Sequence, residues 1–270
     1  MERPAIAKHV FRVWHKEYVT PHYIRVVLEG EGAQDFASCS LGANNKIMVP
    51  PAGQKEVKLA VWDEANNEWK LPEEHERPLI RTYTHRAIDV ANNRITIEFV
   101  DHGDTGPASS WARQAEVGDE LGVAMKMRKS TLYAPADWYL LVGDATAIPV
   151  LSVILESLPA TAKGHCIIEV PSEDDVQRDI EHLGFTFDWV VNEHPEQGSS
   201  LSERVRALKV PSDINCFGYV ACEYQSVKNI RQYFKEQLQW DNKQFYAFSY
   251  WKAGVAEDKS AQDRREEKES

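Results

Sequence analysis

The apolar residues change period near the middle of the chain, and few folds accommodate such a change. Before about residue 134 they alternate in short runs at 10–14, 23–28, 46–49, 94–100 and 120–124. The runs are bounded by turn formers such as Pro50-Pro51-Ala52-Gly53 and Ala91-Asn92-Asn93. Period-two runs between Gly, Pro and Asn predict a split antiparallel β-barrel, interrupted by one helix over about 109–115. The run 138–143, Trp-Tyr-Leu-Leu-Val-Gly, is instead continuously apolar, as expected of a strand buried on both faces. Strand patterns at 166–170, 187–191, 217–220 and 245–249 then alternate with helical ones at 146–158, 201–209 and 226–238. That alternation predicts a parallel α/β sheet with right-handed crossovers. The expected division is a barrel over 1–133, an α/β domain over 134–254, and a charged tail over 255–270 that is either a solvated helix or disordered.

Composition narrows the function. The 270 residues suit two domains of ordinary size. A net charge of −11 argues against nucleic acid, whose phosphates need a basic footprint. The four cysteines, Cys39, Cys166, Cys216 and Cys222, form no CxxC pair, which argues against a metal centre or a disulfide framework. No apolar stretch approaches the roughly 20 residues of a membrane span, and the N-terminus has no signal-peptide core. The chain is therefore expected to be a cytoplasmic monomer whose chemistry comes from an organic cofactor.

Three segments carry candidate chemistry. Arg81-Thr82-Tyr83-Thr84 lies on a strand, where alternate residues share a face. A cation, an aromatic ring and hydroxyls there suit a flavin dinucleotide, and they equally suit an ordinary barrel strand. In Asp101-His102-Gly103-Asp104-Thr105-Gly106-Pro107-Ala108-Ser109-Ser110-Trp111-Ala112 a strand ends in a glycine turn and a helix begins, with Ser109 or Ser110 available as its N-cap. A helix N-terminus with small residues suits a pyrophosphate. Gly143-Asp144-Ala145-Thr146-Ala147-Ile148-Pro149 follows the first parallel strand, at the end where α/β sheets bind ligands.

Taken in order, these segments resemble the siderophore-interacting protein family, the NAD(P)H-dependent ferric-siderophore reductases of the ferredoxin-reductase superfamily. Arg81-Thr82-Tyr83-Thr84 resembles the family's R-x-Y-T motif, and His102-Gly103 with Gly106–Ala112 resembles its H-G…G-P-A-S-x-W-A segment. Gly143–Pro149 is similar to G-D-E-T-A-x-P, with Ala145 in place of the acid. Tyr250-Trp251-Lys252-Ala253-Gly254 resembles the closing Y-W-x-x-G.

The resemblance implies FAD in the barrel, NADH or NADPH on the α/β domain, and a ferric siderophore as electron acceptor. Arg81 would neutralise the pyrophosphate, Tyr83 would line the flavin, and Thr84 would sit near its edge. Thr82, Asp101, His102, Ala108, Ser109 and Trp111 complete the expected flavin contacts. Asp144, Thr146, Ala147, Glu223 and Trp251 would lie around the nicotinamide and the covered flavin. Lys46, Arg128, Lys129, Lys252 and Lys259 are the expected docking cations. Cys222 and Tyr224 stand where the family has small residues, so a ferredoxin-like protein is an alternative redox partner and a siderophore-binding module without turnover a further alternative. No cluster of basic residues for a 2′-phosphate follows the 166–170 strand, and Glu169 and Glu173 lean towards NADH.

Overall fold

The alternating runs of the first half become strands β1 (Ile6–Thr20), β2 (Tyr23–Glu29), β3 (Asn44–Val49), β4 (Val61–Asp63), β5 (Glu68–Lys70), β6 (Leu79–Thr84), β7 (Ala87–Asp89), β8 (Arg94–Val100) and β9 (Glu120–Lys126). They are seen in a computed structural model that describes residues 5–255. Seven of these strands form one antiparallel sheet in the order β6-β3-β9-β1-β2-β8-β7, while β4 and β5 pair apart as a hairpin. β1 extends well beyond its alternating centre. Its first half pairs with β9 and its second half with β2, with register shifts at Val13/His15 and Tyr18/Thr20. Such bulges bend a strand so that it can serve two neighbours. Inward-facing Phe11, Val26, Leu28, Ile97, Phe99 and Leu121 are fully buried, each contributing about 1.5–3 kcal/mol. Helix α1 (Pro107–Gln114) joins β8 to β9 and buries Ala108 and Ala112 in the same core.

The second half contains β10 (Trp138–Asp144), α2 (Ile148–Ser157), β11 (Gly164–Val170), β12 (Phe185–Val191), α3 (Leu201–Ala207), β13 (Cys216–Glu223), α4 (Tyr224–Glu236) and β14 (Phe245–Trp251). The strands are parallel, in the order β12-β11-β10-β13-β14. Leu140 and Val142 of β10 pack with Leu201, Val205, Val227 and Ile230 of α3 and α4. The opposite face of β10 meets α2. A Cβ on Gly143 would stand 2.5 Å from the Ala147 Cβ and 3.0 Å from Leu151 Cδ1, so only glycine allows this strand and helix to approach so closely.

The chain divides into two compact units after Ser130, a few residues before the boundary expected at 133. Helices α1 and α4 begin two residues earlier than their patterns suggested, because Pro107 opens the first and the Glu223 side chain caps the second. All four cysteines are buried and none forms a disulfide. Among the described residues, no helix is long and apolar enough to cross a membrane. The expected tail and Lys259 lie outside the described residues.

Candidate functional site

In the barrel, β3 pairs with β6 so that Asn45 faces Tyr83, Lys46 faces Thr82 and Ile47 faces Arg81. Cross-strand partners share a face, and the Lys46 ammonium accordingly donates to the Thr82 hydroxyl. Arg81 and Tyr83 are half-buried and Thr84 is buried. The Arg81 guanidinium donates to its neighbour's carbonyl, Ile80 O, at 2.7 Å. The Tyr83 ring lies 4.7 Å from Phe99, and Phe99 lies 5.6 Å from Trp111 of α1. One buried ring therefore joins the motif strand to the motif helix.

The turn ahead of α1 is held by its own side chains. Asp101 accepts from Gly103 N–H at 3.0 Å and from the Tyr18 hydroxyl at 3.3 Å, and Arg113 lies 3.5 Å away. Ser109 is not the N-cap expected from the sequence. Gly106 holds that position, with no side-chain cap, because Pro107 opens the helix. Ser109 lies inside the first turn, where its hydroxyl accepts from His102 N–H at 3.1 Å and donates to Gly103 O at 2.9 Å. The first intrahelical bond is Ser110 N–H to Gly106 O, so the N–H groups of Ala108 and Ser109 precede the helix's own acceptors. The ring of His102 covers Gly106, whose Cβ would stand 2.6 Å from His102 Cε1. A cation, an aromatic ring, hydroxyls and an uncapped helix start thus belong to one unit. These residues fit a flavin dinucleotide.

The second group of candidates gathers at the carboxyl edge of the parallel sheet. Strand order reverses between β10 and β13, which makes their ends the topological switch point where such sheets take ligands. Asp144 ends β10 and caps the 3-10 turn that leads into α2, accepting Thr146 N–H at 2.9 Å and the Thr146 hydroxyl. Its other oxygen accepts Trp251 Nε1–H at 2.7 Å. Burial pushes the Asp144 carboxyl up from its usual range, against the opposing pull of the Thr146 and Trp251 bonds. Glu223 ends β13 and caps α4 through Gln225 N–H at 2.6 Å and Ser226 N–H at 3.3 Å. Thr146 is half-buried, whereas the Ala147 methyl is wholly buried against Gly143, so its side chain meets the sheet.

Two expectations change here. Cys222 is fully buried in the core under α3 and α4, so its bulk does not narrow the switch point. Tyr224, half-buried at the first turn of α4, is the substitution that faces outward, with the Lys252 ammonium 4.6 Å from its ring centre. Glu169 is buried and accepts the Ser199 hydroxyl at 2.6 Å, and burial raises its carboxyl above the usual range. Ser199 had no sequence signal, because it meets Glu169 only through the fold. Glu169 lies within β11 itself, and of the two acids only Glu173, beyond the strand, is exposed.

The candidate cations have different surroundings. Lys46 is exposed beside Thr82, and Arg128 is exposed after β9. The Lys129 ammonium donates to Ala37 O and Cys39 O at 3.2 and 3.3 Å, which fastens the segment after β9 to the turn before β3. Lys252 is half-buried over Tyr224.

Comparison with known proteins agrees with this architecture. Residues 12–126 match the siderophore-interacting FAD-binding domain, and residues 136–254 match the siderophore-interacting protein domain. Ferric vibriobactin reductase ViuB of Vibrio cholerae is 31% identical over 251 residues, covering 92% of this chain and 91% of that protein. The NADPH-dependent ferric-chelate reductase of Escherichia coli is 31% identical over 242 residues, covering 88% and 90%. The crystal structure of the siderophore-interacting protein SipS from Aeromonas hydrophila superposes with a TM-score of 0.82 at 31% identity, covering 98% of this chain and 99% of that one. A flavohemoglobin from Malassezia yamatoensis, at 14% identity and a TM-score of 0.61, shares the fold alone. With both domain signatures matched in order and relatives similar along nearly their whole length, this chain belongs to the siderophore-interacting protein family.

Proposed function

We propose that this chain is an FAD-dependent ferric-siderophore reductase supplied with electrons by NADH or NADPH. The carrying observation is the barrel's grouping of Arg81, Tyr83 and the uncapped start of α1, within the matched FAD-binding domain. The ferric-reductase names of two relatives support the substrate class. When bound, FAD supplies two-electron uptake from a nicotinamide and one-electron delivery to Fe(III). The chain's own residues supply position and charge. Arg81 neutralises pyrophosphate, and the N–H groups of Ala108 and Ser109 donate to its oxygens. Tyr83, propped on Phe99, presents its ring to the flavin. The ends of β10 and β13 receive the nicotinamide, with Asp144 and Glu223 holding the helix starts and Trp251 fixing Asp144.

Hard oxygen donors of a siderophore hold Fe(III) better than Fe(II), so one electron loosens the iron without breaking the chelator. Lys46, Arg128 and Lys252 are the proposed docking cations for an anionic chelate. Lys129 is the weaker candidate, because two carbonyls already take its protons. Glu173 alone now carries the leaning towards NADH. We place the enzyme in the cytoplasm as a monomer.

The test is an absorption spectrum of the purified protein, before and after addition of FAD. Anaerobic titration with NADH, NADPH and a ferric siderophore follows. Bleaching by the nicotinamide and recovery of colour with the ferric chelate is the expected sequence. A protein that neither contains nor takes up FAD rules the reading out. A second reading, a ferredoxin-like electron donor, is favoured by Tyr224, a bulky residue at the α4 start where the family pattern has a small one. Stopped-flow reduction by ferredoxin but not by nicotinamide selects it.

A further inference from the structure

We infer that Asn45 and His85 hold an ordered internal water between them inside the barrel, behind the motif strand β6. Asn45 is 2% exposed and His85 0%. Both amide atoms of Asn45 and both ring nitrogens of His85 lack a hydrogen-bond partner.

The register brings the two side chains to one place. Asn45 sits directly opposite Tyr83, and His85 follows Tyr83 by two residues, with its N–H bonded to Ala43 O at 2.9 Å. Asn45 shares its face of β3 with the buried Ile47 and Val49, and His85, just past the end of β6, lies against Phe36 in the same core. Asn45 and His85 are therefore diagonal neighbours, a relation that spans about 7–8 Å between backbones.

The chemistry limits the occupant. Buried polar groups are almost always satisfied, and water in such sites takes two to four polar partners. Four unpaired donor and acceptor positions exclude an apolar occupant. Burial, with the nearby Lys129 charge, holds His85 neutral, which removes the charge partner an anion would need. The Phe36 ring, 6.4 Å from His85, walls the side towards the core. A water bonded to both side chains ties β3 to the end of the strand that carries Tyr83 and Thr84.

Two measurements test this. A high-resolution crystal structure of the FAD-loaded protein should show a peak within hydrogen-bonding distance of both Asn45 and His85. Thermal melts of Asn45→Val, His85→Leu and the double variant should be non-additive. Each single variant loses several degrees because it leaves its partner's polar atoms buried and unpaired, while the double variant loses less than the sum. A direct Asn45–His85 bond, a dry gap in the crystal, or additive losses would overturn the inference.

Discussion

Trp251→Phe keeps an aromatic ring on β14 and deletes one donor, the Nε1–H that meets Asp144 at 2.7 Å. Asp144 is buried and retains only its bonds near the start of α2 and β13. A hydrogen bond to a charged acceptor contributes about 1.5–3 kcal/mol. In a chain of this size one kcal/mol corresponds to about 2–4 °C, so the melting temperature should fall by roughly 3–12 °C at neutral pH. The pH dependence has a definite sign. The native Asp144 carboxyl already titrates above its unfolded value because of burial, so ionised Asp144 weighs against the fold at neutral pH and that cost is relieved on acidification. Removing the Trp251 donor raises the native value further. The deficit of the variant should therefore shrink as pH falls towards that raised value. Circular-dichroism melts of both proteins across neutral to mildly acidic pH measure it. Equal melting temperatures at neutral pH, or a deficit that does not change on acidification, would refute the assignment of Trp251 as the group that fixes Asp144.

Four further outcomes are expected. His85 is held at a pKa of about 4 against an ordinary 6.5, by burial first and Lys129 second. The unfolded chain thus takes up a proton before the native one does. Stability present above pH 6.5 is lost as pH falls towards 4, by up to about 3 kcal/mol at 1.36 kcal/mol per unit. His85→Leu should flatten that part of the stability profile in urea titrations, and an unchanged slope contradicts it. Gly143→Ala forces a Cβ to 2.5 Å from the Ala147 Cβ and 3.0 Å from the Ala221 carbonyl, which should cost about 1–3 kcal/mol in thermal melts. Arg81→Ala should weaken FAD binding about 10–100-fold by flavin fluorescence, the loss expected when a charge-assisted phosphate contact is removed. Lys46→Ala combined with Lys252→Ala should raise KM for an anionic ferric siderophore and leave FAD content intact. Unchanged kinetics at low salt, where screening is weakest, would count against those cations.

Local chemistry made much of this molecule legible before any coordinates. The change from period two to alternating strands and helices follows from which faces are buried, and residues near in sequence report that. The ordered motifs at Arg81–Thr84, His102–Ala112, Gly143–Pro149 and Tyr250–Gly254 likewise identify the family from short segments. Tertiary structure alone decided what those residues touch. Ser109 reads as a cap, yet the proline beside Gly106 moves the helix start and turns its hydroxyl back to the glycine turn. Cys222 reads as an obstruction in a ligand site, yet strand parity sends it into the core. Asp144 meets Trp251 across 107 residues, and Asn45 comes to stand opposite Tyr83 only through the β3–β6 register. Side-chain direction on a strand alternates with every residue, so pairing between distant segments, which local pattern does not specify, selects each partner.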